Sequence, residues 1–271
     1  QKYIGIDTET NTREMSNVDP KKIAKRGKVV RPVSDYIVNQ KDKIRRCTVG
    51  YPCLALAQEA EMSMHEFENF IFNAMLQDWE KLGREIDNVL NIFKHGKHVH
   101  LIGKNVDLEF DIRGSLAEAD KGEENMPGGE VFMAPIRESA KGWIKFDYPA
   151  IEAGNEVTDI ELHFSKGRAI KRQASKNKKL LNAMLTIDEN ASYIGEFGIG
   201  MNPKINKFTK NLLFDEKIGG TAHLALGSAY PASGGKNQSP LHWDLITDLR
   251  NGGEILGDGH IILKGGQFVE D

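Results

Sequence analysis

His242 and Asp244 stand two residues apart in GGKNQSPLHWDL (234–245). On an extended strand both side chains point to one face, so the pair can chelate a single cation. Upstream, Glu130 in NMPGGEVFMAP (125–135) and Glu196 in YIGEFGIGMNP (193–203) sit among apolar residues and glycines, where a surface carboxylate is out of place. A buried glutamate is costly unless it is paired or ligates a metal. Glu, Asp and neutral His are the donors that hard and borderline divalent cations take, and a two-metal site needs a carboxylate to bridge. A fourth segment, FDEKIGGTAHLALGSAY (214–230), carries His223 and Tyr230. Alone, His223 reads more readily as a hydrogen-bonded core histidine, and Tyr230 as a packing residue with its hydroxyl at the rim. The other histidines (His65, His95, His98, His100, His163, His260) lack a ligand spacing, although His98 and His100 share a strand face. Other chemistries have no signature here: the chain has no GxxxxGK-S/T, no Gly-rich dinucleotide turn, no HExxH and no GxSxG.

The elements that would position these residues change character along the chain. Ser63 followed by Glu66 forms a capping-box signature. Behind it Phe67, Phe70, Ile71, Ala74, Met75, Trp79 and Leu82 follow helical spacing, Gly83 interrupts, and Ile86, Val89, Leu90 and Phe93 resume to about residue 95. HVHLI (98–102) and VDLEFDI (106–112) alternate as half-buried strands do. Residues 113–128 are charged and Gly-rich, suited to an exposed connection or a functional loop. Beyond them we expect strands at 130–134, 143–147, 156–164 and 167–174, a helix near 175–186, and closing hairpins with Gly-containing turns. The expected fold class is α+β: residues 1–115 as the remainder of an α/β N-terminal domain, and 116–271 as a mainly antiparallel β catalytic domain.

Bulk properties narrow the partners. With 36 Lys and Arg against 39 Asp and Glu, net charge −3, no overall field attracts nucleic acid or an anionic membrane. Residues 20–46 concentrate ten basic side chains against Asp35 and Asp42, but Tyr36 is the lone aromatic, so the stretch reads as a solvated face. No apolar run approaches the roughly 18–20 residues needed to span a bilayer. Cys47 and Cys53 form no disulfide framework and suit two reduced thiols in a cytoplasmic protein. The chain starts at Gln1 within the strand-like KYIGI, and we expect further residues upstream.

Together the four chemical segments resemble the aminopeptidase T family of metallopeptidases, also called leucyl-type or thermophilic metalloaminopeptidases. In that pattern an Asn-x-Pro-x-Gly-Glu-Val-Phe stretch supplies one metal-binding glutamate, here Glu130. An Ile/Leu-Gly-Glu followed shortly by Asn supplies a second, here Glu196. Asp-Glu-Lys…Gly-Thr-x-His-x-Ala-x-Gly supplies His223 and, seven residues on, Tyr230; a final His-x-Asp supplies His242 and Asp244. YPCLALAQEAEMS (51–63) is similar to the family's Tyr-Pro…Ala-x-Met-Ser segment. Two features depart from it: family members are longer at the N-terminus, and the Tyr230–His242 spacing is short.

The resemblance implies release of N-terminal amino acids from peptides by two divalent ions (Zn, Co or Mn) held by Glu130, Glu196, His223, His242 and Asp244. It implies a bridging hydroxide as nucleophile, the substrate's α-amine on one metal, Tyr230 donating to the developing oxyanion, and a homodimer. Glu216, seven residues before His223, is a candidate general base, or else a surface partner of Lys217. A dinuclear phosphoesterase and a non-catalytic metal-stabilised module remain alternatives. Against the first, the motif segments hold no phosphate clamp, with Lys204 and Lys217 the nearest cations.

Overall fold

A computed structural model describes residues 1–39 and 43–269; Lys41 and Asp42 of the basic stretch lie outside them. The architecture is α+β with mainly antiparallel sheets. Near the N-terminus the strands Lys2–Asp7, Arg45–Gly50 and Asn125–Met126 form a small parallel sheet. Parallel neighbours need a crossover, and helix Pro20–Asn39 lies in the connection between the first two. On this helix Lys22, Lys25 and Arg26 are exposed, while Arg46 pairs with Glu124 at 2.8 Å.

Two antiparallel sheets make up the body. The larger has eight strands, running from Arg168–Gln173 at one edge through Val106–Asp111 and His98–Gly103 to Gln267–Phe268 at the other. The smaller has five, in the order His242–Asp248, Thr221–Gly227, Ile194–Gly200, Glu130–Met133 and Glu118–Asp120. One apolar cluster joins them: Leu101, Leu108, Phe110 and Ile144 from the larger sheet meet Val131, Phe197, Leu224 and Trp243 from the smaller. Phe197 meets Phe110 edge-on, with ring centroids 5.1 Å apart. The opposite face of the five-stranded sheet is where the candidate ligands lie.

Several boundaries differ from the sequence expectation. The helical stretch behind Ser63, whose capping box forms, is two helices, Met64–Met75 and Trp79–Lys94. The break falls at 76–78, where the Asp78 side chain caps the second helix by accepting from the Lys81 N–H (2.9 Å); Gly83 lies buried inside that helix. The expected strand 156–164 is split into Asn155–Val157 and Glu161–Ser165, because Asp159 turns the chain at φ 54°. The strand expected at 143–147 is Lys141–Lys145, and the late helix is Lys178–Met184. The closing hairpins form, and both cysteines are free.

Candidate metal centre

Strand parity and register bring the five residues together. On Thr221–Gly227, Ala222, Leu224 and Leu226 enter the core, so His223 and Ala225 face the opposite side. On His242–Asp248, Trp243 and Leu245 enter the core, leaving His242 and Asp244 on that same side. Glu130 and Phe132 share it, with Val131 and Met133 in the core. Glu196 needs a further device. Ile194, Phe197 and Ile199 all belong to the core, which strict alternation from Ile194 forbids. A bulge between Ile194 and Glu196 absorbs Gly195 and turns Glu196 to the ligand face. Glu196 therefore lies within a strand and not in the Gly-Glu turn that its flanking glycines suggest.

Small residues make room for convergence. Ala225 pairs with Glu196 on one side and Asp244 on the other, so both carboxylates lean over a methyl group. Gly198 pairs with His223, and a Cβ there would lie 2.2 Å from the imidazole Nε2. The ring thus occupies the space an alanine would need.

The resulting geometry has two overlapping groups. His223 Nε2 is 3.6 Å from Glu130 Oε2 and 3.5 Å from Glu196 Oε1. Donor atoms of Glu196, His242 and Asp244 lie within 4.8 Å of one another, with His242 Nε2 3.5 Å from Asp244 Oδ2. Glu196 belongs to both. Glu130, Glu196, His223 and Asp244 are buried; His242 is half-buried. His242 Nδ1–H donates to the Ser228 carbonyl at 2.8 Å, which leaves Nε2 as the ring's lone-pair nitrogen.

The donors fit a cation. Glu196 Oε2, Asp244 Oδ1 and both nitrogens of His223 are buried with no hydrogen-bond partner. Each orphaned polar atom costs about 1–3 kcal/mol, and three of them, Glu196 Oε2, Asp244 Oδ1 and the His223 Nε2 that faces the carboxylates, suit a cation as partner. Protonation behaviour agrees. Burial pushes Glu130 up to about 8 against the opposing pull of Lys217 and His223, and pushes Asp244 up to about 6. Burial alone would lower His223, but the carboxylates of Glu196, Glu130 and Asp244 outweigh it and raise the imidazole to about 9. A cluster that takes up protons when buried is one from which a divalent ion displaces them.

A cavity of about 210 Å³ opens over Glu130, Glu196 and His242, walled by Phe132, Glu216 and Tyr230. Tyr230 is 40% exposed, with its ring 5.1 Å from that of His242 and 6.1 Å from that of Phe132. Crowding by protein, then the surrounding carboxylates, raises its phenol above the ordinary tyrosine value, so it stays a proton donor. Glu216 is a cavity wall and not a surface residue; it pairs directly with Lys217, which is fully buried. Sequence reasoning took Lys217 only for a surface partner of Glu216 or a nearby cation, and passed over Asp120. Asp120 sits opposite Glu130 on the edge strand, accepting from Asn125 Nδ2 (2.9 Å) and Gly122 N–H (3.0 Å). Its place in a charged, Gly-rich stretch masked it. Asn202, the asparagine following Glu196, ties the approach to Glu130 by donating to the carbonyls of Gly128 (3.0 Å) and Ala74 (3.3 Å).

Comparison with known proteins gives a consistent result. Residues 1–268 match the profile of the thermophilic metalloprotease family M29. Aminopeptidase AmpS of Bacillus subtilis is 27% identical over 273 residues, covering 88% of this chain and 65% of the relative. Aminopeptidase T of Thermus thermophilus is 33% identical over 147 residues, 49% of this chain and 35% of the relative. The chain thus spans less than two thirds of the length of these curated relatives. Among solved structures, wild-type AmpT from Thermus thermophilus superimposes with a TM-score of 0.86 at 23% identity, over 99% of this chain and 76% of that one. A 2,5-dihydroxypyridine dioxygenase from Pseudomonas putida shares the fold at a TM-score of 0.65 and 17% identity, over 83% of this chain and 72% of that one.

Proposed function

This chain belongs to the thermophilic metalloprotease family M29, and from that premise we propose that it is the metal-binding portion of an aminopeptidase acting on peptides with a free N-terminus. The observation that carries the reading is the cluster of buried, unpartnered donor atoms on Glu196, His223 and Asp244 beneath an open cavity. Five residues would hold two divalent cations: Glu130 and His223 on one side, His242 and Asp244 on the other, and Glu196 between. When bound, two such cations supply Lewis acidity and a water acidic enough to attack near neutral pH.

The chain's own residues do the rest. Ser228, through its carbonyl, fixes the tautomer and tilt of His242. Tyr230, at the cavity wall and held protonated, would donate a hydrogen bond to an oxyanion forming on a scissile carbonyl. Glu216 presents a carboxylate to the cavity, with an oxygen held by Lys217, where it can accept a proton or attract a substrate ammonium. The similarity to aminopeptidases T and AmpS supports peptide substrates, and the choice among zinc, cobalt and manganese is open to this donor set. A homodimer and a cytoplasmic setting complete the reading, the latter supported by two free thiols. Among the described residues no helix is long and apolar enough to cross a membrane.

Phosphate-ester chemistry is less well served. Arg46, the basic residue lining the cavity, is paired with Glu124, Lys217 is committed to carboxylates, and Lys204 lines a separate depression with Glu66 and Phe70.

The test compares aminoacyl amides with free and acetylated amines, using protein stripped by a chelator and then reloaded with Co²⁺ or Zn²⁺. Hydrolysis of the free-amine substrate alone, lost on stripping and regained on reloading, is expected. Undiminished turnover in exhaustively metal-free protein refutes the proposal.

A further inference from the structure

Lys217 has 0% exposure, an extreme position for a lysine. Its root is fixed. The backbone N–H donates to the Phe214 carbonyl (3.0 Å), and its own carbonyl accepts from the Asn202 N–H (3.0 Å). Phe214 and Ile218 on either side are locked into an apolar cluster with Phe67 and Ile71 of helix Met64–Met75. From this seat the ammonium lies 3.3 Å from Glu130 Oε1 and in direct contact with Glu216 Oε1. An isolated buried ammonium is strongly unfavourable, so these carboxylates are what permit it, and it permits them. Glu130 Oε2 is left facing His223 Nε2 at 3.6 Å.

The other half of the centre is built differently. Among the described residues Glu196 and Asp244 have ion-pair partners only in His223 and His242, with no lysine or arginine. Each keeps one oxygen without a partner. One half thus contains a permanent cation and the other does not.

We propose that Lys217 is a positioning residue that occupies one oxygen of Glu130, leaves the other as the sole donor to a metal, and holds this half of the centre in shape before any metal arrives. Burial alone would lower the lysine's pKa, but Glu130, Glu216 and Asp120 outweigh it and keep the ammonium charged. In the metal-free protein Lys217 is the cation that Glu130 and Glu216 both face; in the loaded protein a divalent cation shares the task of holding Glu130. The inference rests on the metal-centre reading above.

Thermal melting of the wild type and of Lys217→Met, each metal-free and reloaded with Co²⁺, tests it. Breaking a buried ion pair from one side should lower the metal-free melting temperature by about 10 °C, while the reloaded forms differ by only a few degrees. Folding of Lys217→Met only when Co²⁺ is present supports the proposal still more directly. Glu130→Gln combined with Lys217→Met removes both partners of the 3.3 Å contact, leaves Glu216 facing the cavity, and should recover part of the metal-free loss. An equal loss in metal-free and loaded forms, or no recovery in the double variant, makes Lys217 a packing residue and overturns the inference alone. Wild-type protein that takes up no Co²⁺ sinks the metal reading as well, so the two failures are distinguishable.

Discussion

Gly198→Ala isolates the geometry of the centre from its chemistry, because it removes no ligand and no charge. Gly198 is not among the residues with positive φ, so alanine meets no backbone strain there. The conflict is purely steric: the new methyl would lie 2.2 Å from both Cε1 and Nε2 of His223, its cross-strand neighbour. Ordinary carbon contacts begin near ~3.5 Å, so the imidazole must retreat by roughly 1 Å. Both strands are buried along their whole length and cannot bow away cheaply. Overpacking of this kind typically costs about 1–3 kcal/mol, a fall in melting temperature of roughly 2–12 °C for a chain of this size. Metal–nitrogen bonds tolerate only about 0.2 Å, so the effect on binding should be larger than the effect on folding. After dialysis against limiting Co²⁺, elemental analysis should find about one metal per chain where the wild type holds about two, with the circular dichroism spectrum unchanged. A Gly198→Ala protein with full metal content and wild-type melting would show that His223 does not sit where the ligand geometry requires.

Other perturbations probe the remaining parts. Glu196→Gln should reduce bound metal from about two per chain towards one or none, since an amide bridges cations poorly; unchanged stoichiometry would remove Glu196 from the shared position. Tyr230→Phe should lower kcat by about 10²–10³ with KM and metal content nearly unchanged and stability within about 1 kcal/mol, and a preserved kcat would exclude Tyr230 from the chemistry. Glu156 is held at about 2 by Lys210 (2.9 Å), Lys176 (3.0 Å) and Arg13 (3.2 Å). Its depressed value means that its stabilisation is present above the ordinary glutamate value and is lost as pH falls from about 4.5 to about 2. Allowing for solvent screening, Glu156→Gln should cost on the order of 1–2 kcal/mol at pH 7 and nothing near pH 2; urea melts showing a pH-independent difference would contradict this.

Local pattern made part of this protein legible in its sequence. The His242–Asp244 spacing placed two donors on one strand face because alternation is a property of a single strand. The Ser63–Glu66 capping box, the half-buried strands from His98 to Asp111 and the closing hairpins were likewise visible, each being a short-range pattern with one face to solvent. Two of the three inner strands of the ligand sheet were not. Ile194–Gly200 and Thr221–Gly227 are buried throughout, so they carry no polar–apolar alternation, and Gly195 and Gly198 beside Glu196 imitate a turn. Convergence itself came from long-range register. Ala225 sets the gap between Glu196 and Asp244, a bulge at Gly195 turns Glu196 to the ligand face, and Gly198 gives His223 its space. Lys217 shows the same division: nothing in Asp-Glu-Lys distinguishes a solvated charge from a fully buried one. Its contact with Glu130, 87 residues earlier in the chain, exists only because packing brings their two segments together. Residue types fix which donors are available, but pairing across distant strands decides which of them meet.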